Sequence, residues 1–222
     1  METELIIAGI SSLIAATVGL AWYYSKKRTD ALHGISSTLG MSFSKLSDNK
    51  LLASLSKYHL FSRGHSKRIK NVILGSKDGV ELKIFDYRYR TGGGKNSHTR
   101  RQTVLLIKSA QMRLPYIYLR PANIFHKIGK IFGYQDVNWD LYPEFSKHYL
   151  VQAEDEGSCR AAISKELIAF FENHKGFCME TGGEVFLFYK SAKNIPPNDI
   201  LGFLENGSHV FRQFSRGLKK PS

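Results

Sequence analysis

The sequence predicts an α+β protein: one amino-terminal transmembrane helix followed by an antiparallel sheet with helices packed on it. Three observations carry this. Leu5 to Tyr24 is an uncharged run of twenty residues. The middle of the chain alternates apolar and polar residues with the period of two that a strand imposes, and glycines punctuate it. The stretches on either side repeat apolar residues at three- and four-residue spacing, the signature of helices with one buried face.

The run LIIAGISSLIAATVGLAWYY covers about 30 Å as a helix, the thickness of the hydrocarbon core of a bilayer. A helix also satisfies its own backbone in lipid. A signal peptide would begin with basic residues and end in small ones. Here Glu2 and Glu4 come first, and Trp22, Tyr23 and Tyr24 come last. A core helix would not be apolar on every face and run straight into Lys26, Lys27 and Arg28. Because cytoplasmic flanks carry the excess of Lys and Arg, residues 1–4 are expected outside, 5–24 in the bilayer and 25–222 in the cytoplasm. Trp22, Tyr23, Tyr24, Lys26, Lys27 and Arg28 are the expected interface anchor.

Beyond the anchor, Ala31, Leu32, Ile35 and Leu39 continue one helical face up to Gly40. Phe43 begins a short extended piece. Ser47 or Asp48 caps a helix from about Asn49 to Tyr58. Ile69 to Leu74 reads as a strand, and Lys77-Asp78-Gly79 as a hairpin turn. Val80, Leu82 and Ile84 are followed by Tyr87 and Tyr89, which suggests a slip of register near Phe85-Asp86. The loop TGGGKNSH leads into the apolar strand Gln102 to Ile107, and Leu114 to Leu119 adds a fourth strand, ended by Pro121. A short helix or irregular turn is expected from Ala122 to Gly133, with Ile124, Phe125, Ile128, Ile131 and Phe132 turned inward. Polar loop to Pro143 and a strand from Glu144 to Val151 follow. Asp155 and Ser164 cap helices running to about Asn173. A hairpin turns about Thr181-Gly182-Gly183. Pro196-Pro197 opens a last helical region, interrupted at Asn206-Gly207, whose apolar face includes Val210, Phe211, Phe214 and Leu218, ahead of a basic tail.

Charge narrows the function classes. All 32 Lys and Arg follow Tyr24, with 17 of the 19 acids, so the part beyond the anchor carries +15. Residues 25–110 hold 18 basic and 5 acidic side chains, whereas residues 111–222 hold 14 and 12. The excess therefore sits in the half that leaves the membrane first. An anionic leaflet attracts such a segment by about 1 kcal/mol per basic residue near its surface, so no nucleic acid is needed to explain it. Cys159 and Cys178 are too few for a disulfide scaffold and read as reduced, buried thiols.

The segment FDYRYRTGGGKNSHTRRQTV gathers Arg88, Arg90, Lys95, His98, Arg100 and Arg101. A phosphate-cradling P-loop needs Ser or Thr after its lysine and a helix after the loop. Asn96 and a strand stand there instead. The segment reads as a hairpin tip whose cations can meet lipid phosphate or another anionic ligand. Tyr87 and Tyr89 beside Arg88 and Arg90 invite comparison with base-stacking surfaces, but no motif of an RNA-binding sheet accompanies them. Asp136, Asp140, Glu144 and His148 offer acid–base groups without metal-ligand spacing. No cofactor or metal signature is present, and no catalytic residue is assigned.

Three stretches, RGHSKRIKNVILGSKDGVELKIFDYRYRTGGGKNSHTRRQTV, LRPANIFHKIGKIFGYQDVNWDLYPEFSKHYLVQAEDE and IAFFENHKGFCMETGGEVFLFYK, resemble a family of bacterial membrane-anchored proteins of unknown function. The resemblance spans most of the chain after the anchor. It implies one spanning helix and one cytoplasmic domain at a bacterial inner membrane, and carries over no site residue. The expected function is a non-enzymatic interaction module with its basic face on the anionic inner leaflet. Expected partners are the membrane, and through it anionic lipid or another membrane protein. The alternatives are a tethered enzyme or sensor of an anionic ligand, and a nucleic-acid-binding protein.

Overall fold

A computed structural model describes residues 1–122 and 133–217 of the chain. The apolar run and its basic continuation form one unbroken helix, α1, Glu2–Thr38. Ile6, Ile10, Leu13, Val18, Leu20 and Trp22 are each more than half exposed. Nothing among the described residues covers this half, so it is not a core helix, and it is long and apolar enough to cross a membrane. Past Ser25 the helix turns inward: Thr29, Leu32 and Ser36 are buried.

After α1 come β1, Ser42–Ser44; α2, Asn49–Ser54; α3, His59–Ser62; β2, His65–Lys77; β3, Val80–Thr91; β4, His98–Ser109; and β5, Leu114–Pro121. Then follow β6, Gln135–Asp136; α4, Pro143–His148; β7, Tyr149–Ala153; α5, Glu156–Ala162; α6, Lys165–Asn173; β8, Phe177–Gly183; β9, Val185–Lys190; and α7, Ile200–Gly217. Among the described residues nine strands make one sheet, ordered β1-β2-β3-β4-β9-β8-β5-β7-β6, with every neighbouring pair antiparallel. The hairpin β8–β9 is inserted between β4 and β5, so these two consecutive strands are not neighbours.

Both faces of the sheet are covered. Leu32, Ile84, Leu105, Phe186 and Phe188 share one core with residues of α5, α6 and α7. Phe85, Tyr87, Tyr89, Val104, Leu106 and Leu187 share the other with Leu51 of α2 and Phe61 of α3. Adjacent residues of one strand thus enter different cores, as the pleat requires. The register slip expected near Phe85-Asp86 is found opposite those residues in the β2–β3 pairing, not in the β3–β4 ladder. The β3–β4 ladder runs unbroken from Val80↔Ser109 to Thr91↔His98. The apolar residues change parity along β3 because the second face becomes covered there. The irregularity lies in β2, between Lys70↔Asp86 and Ile73↔Ile84, with Asn71 at φ 54.

Other expectations are also corrected. Of the strand expected from Glu144 to Val151, the residues up to His148 belong to α4, which Pro143 opens from its first turn, and only Tyr149 onward is strand, in β7; Phe145 of α4 stacks on Tyr149 at 5.5 Å. The loop before it contains β6 and buries Val137 and Trp139. The helix expected to reach Tyr58 stops at Ser54, and a separate short helix, α3, begins at His59. The β8–β9 turn falls one residue later, since Gly182 already pairs with Val185. Helix α7 is not interrupted at Asn206-Gly207. A Cβ on Gly207 would stand 2.3 Å from Leu105 Cδ2 and 2.9 Å from Phe188 Cδ1, so this glycine lets the helix approach the sheet closely. Ile124 to Phe132, and Leu218 with the basic tail, lie outside the described residues.

Candidate functional site

A polar joint fixes α1 to the sheet. The Arg28 guanidinium grips Asp86 through Nε to Oδ2 at 2.9 Å and Nη2 to Oδ1 at 2.7 Å. Nη1 donates to the Ile195 carbonyl at 2.8 Å, and Nη2 donates also to Thr103 Oγ1 at 2.9 Å. Asn71 Nδ2 donates to Asp86 at 2.9 Å, and Thr29 Oγ1 lies 3.0 Å from Asn71 Oδ1. Lys70 Nζ donates to Ser25 Oγ at 2.9 Å. The sequence places Arg28 in the interface anchor; the structure places its side chain mostly inside the molecule, at 16 % exposure.

Beyond this joint, toward the apolar half of α1, a cleft of about 490 Å³ opens between the helix and the sheet. Ala21, Tyr24 and Ser25 form the helix wall; Arg68, Lys70, Arg88 and Arg101 line the sheet side. The registers explain the gathering. Lys70 pairs with Asp86 and Asp86 with Thr103, all on the face that meets Arg28. Two residues further along each strand, Arg68 pairs with Arg88 and Arg88 with Arg101, which returns to the same face. The cleft holds five cations, Arg28 included, and one carboxylate, Asp86, which Arg28 already occupies. Burial and then the charges of Arg68, Arg101 and Arg90 hold the Arg88 guanidinium below its usual range. Burial lowers Lys70 too, against the pull of Asp86. A second hollow on the other side of the helix exit is lined by Trp22, Lys26, Lys45 and Lys70. Lys26 Nζ sits 5.3 Å from the Trp22 ring centre.

The six cations of the hairpin therefore do not converge as one group. Arg88, Arg90 and Arg101 share the α1 face. Arg100, opposite Tyr89, and His98, opposite Thr91, lie on the other. Lys95 is exposed in the short turn Gly94–Asn96. Trp22, Tyr23, Tyr24, Lys26 and Lys27 are exposed on α1. Sequence reasoning did not single out Arg68 and Lys70. Their i, i+2 spacing matches Arg88 and Arg90, but the irregularity at Asn71 decides which face they take.

The acidic stretch does not assemble. Asp136 Oδ1 accepts from Gln152 Nε2 at 2.8 Å, while Glu144 lies 3.7 Å from His148 one helical turn on. Among the described residues no group of three or more His, Cys, Asp and Glu side chains is placed to hold a metal ion. Cys159 and Cys178 are free and buried, in cores on opposite faces of the sheet. Burial pushes both thiols up to about 12, so neither is a nucleophile poised near neutral pH.

No protein-family model matches the chain, and no curated protein sequence matches it. Among solved structures it is similar to the crystal structure of the mycobacterial trehalose monomycolate transport factor A, TtfA. The TM-score is 0.63 at 15 % identity, over 88 % of this chain and 98 % of that one. At this identity the likeness is one of fold.

Proposed function

We propose that the chain is a non-enzymatic, membrane-anchored interaction module whose basic face rests on the anionic inner leaflet. The observation that carries this is the crowding of cations around the point where α1 leaves its apolar half: Lys26, Lys45, Lys70, Arg68, Arg88 and Arg101 flank the two hollows there. Anionic head groups neutralise such a collar, and Trp22, Tyr23 and Tyr24 suit the same level of the bilayer. In this reading the amino terminus faces outward and the sheet lies in the cytoplasm. A fold shared with a protein named as a transport factor for a mycolate ester of a sugar accords with a role beside lipid. A nucleic-acid role is disfavoured because the cations line clefts against a helix rather than an open stacking platform.

The test uses the full chain in mixed phosphatidylcholine and phosphatidylglycerol vesicles, extracted as polymer discs. Phosphatidylglycerol should be enriched around the protein relative to the starting vesicle, and the enrichment should fall as salt rises. A disc composition equal to that of the vesicle at low salt refutes the reading. Release of the protein from membranes by alkaline carbonate would refute the anchor. A carboxyl-terminal reporter active only outside the cell would refute the orientation.

A further inference from the structure

Arg68, Arg88 and Arg101 stand directly opposite one another on three neighbouring strands. Residues so paired have Cβ atoms about 5 Å apart, and like charges in that position repel. Among the described residues no carboxylate lies within ion-pair distance of any of the three. Asp86, the acid nearest in the register, is taken by Arg28, Asn71 and Thr103. Among the described residues the fold thus holds three guanidinium groups in a row with no carboxylate paired to them. Each offers a planar fork of N–H donors, the geometry that matches a phosphate.

The place of the row says where that phosphate comes from. Thr29 meets Asn71, then Ser25 meets Lys70, and then Ala21 and Tyr24 face the arginines. The row therefore lies level with the end of the uncharged run, which on the membrane-anchored reading is the depth of lipid head groups. We infer that Arg68, Arg88 and Arg101, with Lys70, bind the phosphate of one anionic glycerophospholipid whose acyl chains lie along the apolar half of α1. Arg28 is the positioning residue: it occupies Asp86 and fixes the helix wall of the cleft. The inference rests on the reading of a basic, membrane-facing collar and gives one part of it a stoichiometric ligand.

The full chain in mild detergent, examined by native mass spectrometry with phosphatidylglycerol added, should retain one lipid molecule. Arg88→Gln together with Arg101→Gln should lower that occupancy at least tenfold. Lys165→Gln with Arg212→Gln, an equal loss of exposed charge in the second half of the chain, should leave it unchanged. Melting without lipid separates loss of binding from loss of fold: relieving the repulsion should leave the arginine variant at least as heat-stable as the native chain. Phosphatidylglycerol should then raise the melting temperature of the native chain but not of the variant. Equal occupancy in native chain and arginine variant overturns the inference. Displacement of the lipid by inorganic phosphate at equal concentration overturns the lipid assignment in favour of a soluble anion. If the arginine variant binds as the native chain does while discs remain enriched in phosphatidylglycerol, the single-lipid site fails and the collar stands. If discs show no enrichment, the broader reading fails.

Discussion

Glu180 of β8 is buried among the packed side chains of the second face, at 1 % exposure. It accepts the backbone N–H groups of His59 and Leu60, the latter at 3.1 Å, and so caps the start of α3. Burial pushes its carboxyl up to about 7, against the downward pull of those two N–H groups. His59, its ring tilted against that of Tyr118 with centres 4.6 Å apart, is pushed down to about 4 by burial and then by the charges of Arg63 and Arg120. The two act on stability with opposite signs. An acid raised from 4.5 to about 7 weakens the fold progressively as pH climbs through that window, because ionisation costs more folded than unfolded. A histidine lowered from 6.5 to about 4 strengthens the fold as pH climbs from 4 to 6.5, because the buried ring sheds a proton it holds at a cost. Between about 4.5 and 6.5 these contributions largely cancel. Glu180→Gln should unmask the histidine: relative to the native chain, its melting temperature should climb more steeply from pH 4.5 to 6.5. Parallel melting-temperature profiles for the two proteins would show that Glu180 is not the group titrating.

At the scale of elements, Gly202 and Gly207 of α7 have different surroundings. A Cβ at Gly202 meets nothing within 4 Å, whereas one at Gly207 collides with Leu105 and Phe188, both buried. Gly202→Ala should therefore stabilise by about 0.5–1 kcal/mol through helix propensity alone. Gly207→Ala should destabilise by about 1–3 kcal/mol, the cost of overpacking a filled core. Denaturant melts of the full chain distinguish these signs; a stabilising alanine at 207 would mean that the helix does not need its close approach. The same glycine shows where sequence reading stops. Local chemistry is legible: Asp48, Asp155 and Ser164 cap α2, α5 and α6 through hydrogen bonds of 2.8, 2.7 and 3.3 Å. Asp78 and Gly79 turn β2 into β3 with the positive φ that their types allow. Each of these signals is complete within a few residues. Gly207 has the composition of a break, and only the distant Leu105 and Phe188 give it another meaning. The cleft was half legible for a similar reason. Arg88, Arg90 and Arg101 stand out as charges, but an even register counted back from Asp78-Gly79 pairs Ile69 with Arg88. The extra residue at Asn71 shifts that pairing by one and brings Arg68 to the helix side.

At the scale of the whole molecule, the charge asymmetry of the sequence becomes an asymmetry in space. The basic half, residues 25–110, supplies β1 to β4, which lie together at one side of the sheet, and the inner part of α1 packs on that side. Helix α1 is continuous through the junction between its exposed and buried halves. It is therefore a strut, with no slack between the apolar segment and the Arg28–Asp86 joint. On this geometry the cleft depends on the helix wall as well as on the cations, since Ala21 and Tyr24 belong to one and Arg68, Arg88 and Arg101 to the other. A flexible Gly-Ser insertion between Tyr24 and Ser25 separates the two contributions. It keeps every charge and every contact of the sheet, including the Arg28–Asp86 pair, but lets the wall swing away from the arginines. The inserted chain should melt as the native one does without lipid, yet lose most of the phosphatidylglycerol retained in detergent. Retention at the native level would show that charge alone, on a tether of any stiffness, is sufficient. A loss of lipid with the melt unchanged would show that the continuous helix builds the site.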